Sequence, residues 1–208
     1  MSAAGPRRRR PPPGGRAAGS VEGAAGSAGE ATDSIQGAAG APCGRRLAGF
    51  GPVLDEGCEL LILGSFPSEA SLAAGHYYAH PRNLFWRILG ELLGERLVEL
   101  PFEQRYRIVR ERGIAIWDVH SACRREGSLD SAIRDSRPND FARLRQLAPA
   151  IERVVFNGRH AARFEQAFRE QGYDVRVLPS TSPAYAAMPM ADKLAAWREA
   201  LAPFIVST

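Results

Sequence analysis

The residues of this chain best suited to chemistry are two amides, a set of hydroxyls and a cluster of aromatic rings. Asn83 sits within "YYAHPRNLFW" (77–86), where Tyr77, Tyr78, His80 and Arg82 stand just before an apolar helical stretch. Asn157 ends "VVFN", Ser180, Thr181 and Ser182 open "STSP", and Gly64-Ser65-Phe66-Pro67 follows an apolar run. Rings of this kind stack on a flat heterocycle, and Asn side chains match its donor and acceptor edge. The hydroxyls of "STSP", with free backbone N–H groups if a helical turn starts at Pro183, suit a phosphate. Each of these residues also has an ordinary structural reading. His80 fits a satisfied loop histidine, Asn157 a turn at a strand end, Asp118 the cap of a turn, and "STSP" and Asn83 helix N-caps.

Other chemistries lack their residues. There is no Walker-type phosphate loop, and no G-x-G-x-x-G follows the first apolar run. The four histidines (76, 80, 120, 160) have no H-x₃-H spacing, so no metal site is expected. Ser65, Ser180 and Ser182 lack the nucleophile-elbow context of a serine hydrolase.

The elements that must position these groups alternate between strand and helix patterns. "CELLILG" (58–64), "IAIWDV" (114–119), "IERVVFNG" (151–158) and "YDVRVLP" (173–179) are short apolar runs that read as buried strands. Helical spacing appears over 83–94, 101–113, 159–172 and 190–204. Residues 120–149 read as loop with one or two short helices, "SLDSAIRD" and "NDFARLRQLA". Strands separated by helices imply right-handed crossovers and a parallel sheet covered on both faces. The expected fold is α/β, one doubly wound domain with a four-stranded parallel sheet flanked by helices over 47–208. In such sheets ligands bind outside the carboxyl ends of the strands, which is where Gly64, Asp118, Asn157 and Ser180 fall. The stretch from Ser65 to Arg82 has no clear periodicity, and loops that long in a compact domain are usually functional or disordered. Its aromatics argue against disorder.

The formal charge of the 208 residues is +4, and all of it lies in residues 1–46, which carry seven arginines against Glu22, Glu30 and Asp33. The remainder is balanced. That segment is rich in Ala, Gly, Ser, Pro and Arg and cannot bury enough apolar area to fold, so it is expected to be a disordered tail. It reads either as a solvated extension or as an electrostatic tether to nucleic acid. No apolar run approaches the roughly 18 residues of a membrane span, and "MSAAGPRRRRPPPGG" has no apolar core of a secretory signal. Cys43, Cys58 and Cys123 show no paired spacing, which points to a reducing cytoplasm. Three cysteines are also too few for a four-cysteine iron–sulfur cluster.

"LGSFPSEASLAAGHYYAHPRNLFW", with "VVFNG" and "LPSTSPAYA", resembles the uracil-DNA glycosylase superfamily, and within it the hypoxanthine- (deoxyinosine-) DNA glycosylase branch. The resemblance runs over roughly 48–204. It implies a monofunctional glycosylase acting on DNA that contains a deaminated base, with no metal and no cofactor. The superfamily's first motif, of G-x-x-P type, matches Gly64 to Pro67, with Phe66 where many relatives carry a water-orienting Asp or Asn. In the deoxyinosine branch the asparagine of H-P-R-N takes that role, which carries over to Asn83. The branch's strand-end asparagine matches Asn157 as a base contact. The second motif, often H-P-S-P, matches Ser180 to Pro183 without its histidine, and Tyr185 stands where an Asn often follows. The resemblance thus implies Asn83 as the catalytic residue. Gly64, Ser65, Phe66, Tyr77, Tyr78, His80 and Asn157 would bind the base, and Arg82, Ser180, Thr181 and Ser182 the DNA phosphates. Arg124 and Arg125 are further phosphate candidates. Two other readings stay open: a glycosylase for uracil, and a non-catalytic nucleic-acid-binding module in which Asn83 only caps a helix. The chain is expected to be monomeric.

Overall fold

Leu60, Leu61, Ile62 and Leu63 have no exposed surface at all. A strand apolar on both faces must be covered on both, and this one, β2 (Leu60–Gly64), is central. In the computed structural model, which describes residues 45–205, it lies in a four-stranded parallel sheet. The order is β3-β2-β6-β7, with β3 at Ile114–Asp118, β6 at Arg153–Asn157 and β7 at Asp174–Leu178. The register is continuous: Leu60 pairs with Ile114 and Arg153, Gly64 with Asp118, and Asn157 with Leu178. Gly64, Asp118, Asn157 and Leu178 therefore leave the sheet along one edge.

The crossovers cover both faces. Between β2 and β3 run α1 (Glu69–Ala74), α2 (Phe85–Leu93) and α3 (Phe102–Glu111). Phe85 of α2 meets Trp197 of the last helix, α6 (Met190–Leu201), edge to face at 6.0 Å. On the other face, Phe168 of α5 (Glu165–Glu170) meets Phe156 of β6 at 5.6 Å and Phe141 at 5.0 Å. Phe141 lies just before α4 (Leu144–Leu147). The four expected strands and the doubly wound α/β layout are all present.

Other expectations need correction. Residues 120–149 are not a loop with helices alone. β4 (His120–Arg124) and β5 (Arg134–Pro138) pair antiparallel, and β1 (Arg46–Ala48) adds to β4, giving a second sheet of order β1-β4-β5. Every residue of β5 is exposed, so a backbone ladder holds it and no apolar face announces it. The expected tail of 1–46 lies outside the described residues except Arg45 and Arg46, and Arg46 belongs to β1. The stretch from 65 to 82 contains α1, whose N-terminus is capped by the Ser68 hydroxyl accepting the Ser71 N–H at 3.2 Å. Gly75, at φ 73°, ends it in the left-handed region where glycine carries no Cβ penalty. The helix expected over 159–172 is a 3₁₀ turn (Ala161–Phe164) followed by α5. Among the described residues no helix is long and apolar enough to cross a membrane.

Candidate active site

Parallel register puts the strand ends side by side, with Asp118 and Asn157 on either side of Gly64, and the loop from Ser65 to Asn83 folds back over them. The result is a cavity of about 770 Å³, within the roughly 300–1,000 Å³ usual for small-molecule sites. Gly64, Ser65, Phe66, Tyr77, Tyr78, Asn83, Asp118 and Asn157 all line it, as do Ser180, Thr181 and Ser182 from the loop after β7. His80 and Arg82 do not. His80 Nδ1 accepts the Arg82 N–H at 3.1 Å, and the His80 carbonyl accepts the Asn83 N–H at 2.8 Å. They build the turn that delivers Asn83, and Arg82 is exposed beside it.

Asn83 is half-buried, and its Oδ1 accepts the Phe85 N–H at 3.0 Å. The side chain is thereby fixed, with one Oδ1 lone pair and the whole amide group still available. Tyr77 is buried, its hydroxyl donating to the Gly51 carbonyl at 3.0 Å. Its backbone is pinned by the Trp86 indole N–H and the Tyr106 hydroxyl. Tyr78 has φ 53°, a conformation that non-glycine residues rarely hold. Its ring is stacked on Phe85 at 3.7 Å, which holds it there. Phe66 also lines the cavity, with the Arg125 guanidinium 5.2 Å from its ring centre.

Asn157 is clasped to Thr181. Its Nδ2 donates to the Thr181 hydroxyl at 2.9 Å and its Oδ1 accepts the Thr181 N–H at 2.9 Å. The Asn157 amide also lies beside the Tyr78 hydroxyl. Thr181 has no exposed surface, which takes it away from any phosphate in this state. No helix starts at Pro183, because the Ser180 and Ser182 hydroxyls accept the N–H groups of Ser182 and Ala184 at 3.2 Å each. The backbone donors expected there for a phosphate are thus engaged. The Ser180 and Ser182 O–H groups are still free to donate, since in these two bonds the oxygens only accept. Arg125 is buried and donates to the Pro67 carbonyl, and Arg124 pairs with Asp135 at 3.4 Å.

A model of the uracil DNA glycosylase superfamily matches residues 52–203, a span that contains the cavity and every strand of its sheet. The chain belongs to that superfamily. Two curated relatives, each named hypoxanthine DNA glycosylase, come from Methanosarcina acetivorans and Methanosarcina barkeri. They are 44% and 41% identical over 136 residues, covering 65% of this chain and 86% of each relative. The solution NMR structure of a presumed uracil DNA glycosylase from Methanosarcina acetivorans superposes with a TM-score of 0.67 at 39% identity. That match covers 74% of this chain and 98% of the other.

Within this member of the superfamily, several groups in and around the cavity escaped the sequence. Asp118, read as a turn cap, is 3% exposed on the cavity floor. Asp130 accepts the Ser65 hydroxyl at 2.5 Å. Lys193 is buried, and its ammonium donates to the Tyr185 carbonyl at 2.6 Å, tying down the loop after "STSP". Nothing in their spacing separates these from ordinary surface charges. Histidines 120 and 160, far apart in sequence, meet at 5.9 Å outside the cavity, burial lowering the pKa of both imidazoles. Among the described residues no group of three His, Cys, Asp or Glu side chains is placed to hold a metal.

Proposed function

We propose that this protein is a monofunctional DNA glycosylase that removes hypoxanthine from deoxyinosine by attack of water at C1′. What carries the reading is the convergence of the Asn83 and Asn157 amides with the Phe66 and Tyr78 rings in one cavity. The two relatives named hypoxanthine DNA glycosylase support the choice of base. A base inside a duplex is out of reach, so the nucleotide must be flipped into the cavity, and a weakly paired deaminated base costs less to extrude. Phe66 and Tyr78 would stack on it. Asn83 has no pKa near neutrality and cannot be a strong base. Its free Oδ1 lone pair can hold a water in line with C1′, and positioning of that kind removes much of a barrier. The Asn157 amide, fixed by Thr181, would be a preorganised dipole for charge developing on the base.

The chain has one lysine, Lys193, and it is 1% exposed and bonded to the Tyr185 carbonyl. A lyase step by a lysine would need its free amine to form a Schiff base with the abasic sugar. Purified protein should therefore release hypoxanthine from a labelled duplex with one deoxyinosine and leave an alkali-labile site. No strand break should appear without alkali, and chelator should make no difference. Cutting of deoxyuridine but not deoxyinosine would make uracil the base, and binding without cutting of either would make the protein a non-catalytic module.

We read residues 47–208 as the catalytic domain of a monomer acting in the cytoplasm on DNA, with no membrane partner and no cofactor. Removing residues 1–44 is expected to leave melting temperature and single-turnover rate unchanged. If they tether DNA, truncation would instead weaken binding and flatten its salt dependence by about 0.9 log units for each phosphate no longer neutralised. A large fall in melting temperature would overturn both accounts of that segment.

A further inference from the structure

The superfamily's second motif lacks its histidine here, so the group that stabilises the departing base has to come from elsewhere in the cavity. Two buried oxygens stand at its floor: Asp118 Oδ2, which has no hydrogen-bond partner among the described residues, and the Tyr78 hydroxyl, which has the Asn157 amide beside it. Both residues reach over Gly64, where a Cβ would come within 2.8 Å of the Tyr78 oxygen and closer still to an Asp118 carboxyl oxygen. A buried polar atom without a partner is costly. Asp118 and Tyr78 both line the cavity, so a base bound there can supply the partner that the Asp118 carboxyl lacks.

We propose that Asp118 is the acid of this site, giving its proton to the departing purine as the C1′–N9 bond breaks, with the Tyr78 hydroxyl as a second donor to the same base. The inference rests on the reading of the protein as a hypoxanthine glycosylase. The electron pair of the C1′–N9 bond goes to the base, and the carboxyl O–H breaks as its proton passes to a ring nitrogen or O6. Water oxygen bonds to C1′, and the surplus water proton leaves to solvent, from which the carboxylate is reprotonated. One water is consumed, and a neutral base and an abasic sugar result.

The surroundings keep this acid protonated at neutrality. Burial first, and repulsion from Asp130 second, raise the Asp118 carboxyl to about 8, while Arg125 pulls the other way. The other titratable groups facing it are Tyr77 and Tyr78, whose hydroxyls burial pushes well above the usual range, so they stay neutral throughout. An acid poised near the working pH is the effective kind.

The test is the single-turnover rate at saturating enzyme from pH 6.5 to 9.5 on a deoxyinosine duplex, for the wild type and for Asp118→Asn. The wild-type rate should be level below about pH 8 and fall tenfold per unit above it. Asp118→Asn should be slower by about 10²–10⁴ at pH 7, the usual range for a general acid, and should have no such limb. Stability supplies a second readout. A carboxyl that titrates at 3.8 when exposed and near 8 when folded holds more protons in the native state between those values, so wild-type stability declines as pH rises through that window. Asp118→Asn should remove that decline, which shows the variant folded while its rate is lost. A wild-type profile flat through pH 9.5, or a variant that matches the wild-type rate and limb, overturns the assignment of Asp118 while leaving the glycosylase reading intact. Failure of the wild type to release hypoxanthine at any pH overturns that reading instead.

Discussion

Replacing Asn83 with alanine is expected to lower the single-turnover excision rate by on the order of 10² or more, the usual scale for losing one oriented polar group in a catalytic site. Phe66 occupies the position where many superfamily members orient the attacking water, and a phenyl ring cannot hold one. Among the polar groups lining the cavity, Asn83 comes from the loop rather than from the sheet edge, so it can approach a sugar that the base leaves outside the pocket. Its bond to the Phe85 N–H at 3.0 Å makes it a cap of α2 as well. The variant should therefore also lose about 1 kcal/mol of stability. The two contributions separate when melting temperature and saturating rate are measured on one preparation. A variant that melts a few degrees lower yet excises hypoxanthine at nearly the wild-type rate would leave Asn83 with the capping role alone.

What could be read from the sequence follows from how each element is held. The parallel strands were legible because burial on both faces writes them as unbroken apolar runs, as in Leu60–Leu63 and Val154–Phe156. β5 was illegible because "RDSRP" buries nothing and is held by backbone pairing to β4. The residues of the site were legible to the extent that their type is unusual for their place. Asn83 among aromatics is such a case, and so is Asn157 at the end of a buried strand. Asp118 was not, because an aspartate after "IAIW" reads as a turn, and only the fold shows its carboxyl enclosed between Gly64 and Tyr78. The role of Thr181 was hidden for the same reason. A hydroxyl in "STSP" can face a phosphate or be buried against Asn157, and three-dimensional register decides between them.

Gly64 offers the sharpest test of where the base sits. The α-carbon of Gly64 forms the cavity floor between two side chains that cannot easily retreat. Asp118 is 3% exposed on the adjacent strand, and Tyr78 is stacked on Phe85 at 3.7 Å with its backbone already at φ 53°. A methyl group there would stand 2.8 Å from the Tyr78 oxygen and nearer still to the Asp118 carboxyl, so both must move or the strand must shift. Overpacking of that kind typically costs about 1–3 kcal/mol, and the fall in melting temperature of Gly64→Ala should correspond to it. Excision should fall further than stability accounts for, by on the order of 10² at saturating enzyme, because the displaced groups are those that would meet the base. Gly51→Ala is the matched control. A Cβ at Gly51 meets nothing within 4 Å, and the Gly51 carbonyl that accepts the Tyr77 hydroxyl is retained. Its stability should stay within about 0.5 kcal/mol of the wild type, with an unchanged rate. If Gly64→Ala excises hypoxanthine as fast as Gly51→Ala, the base does not lie over Gly64, and the floor of this cavity is not the surface on which the reaction runs.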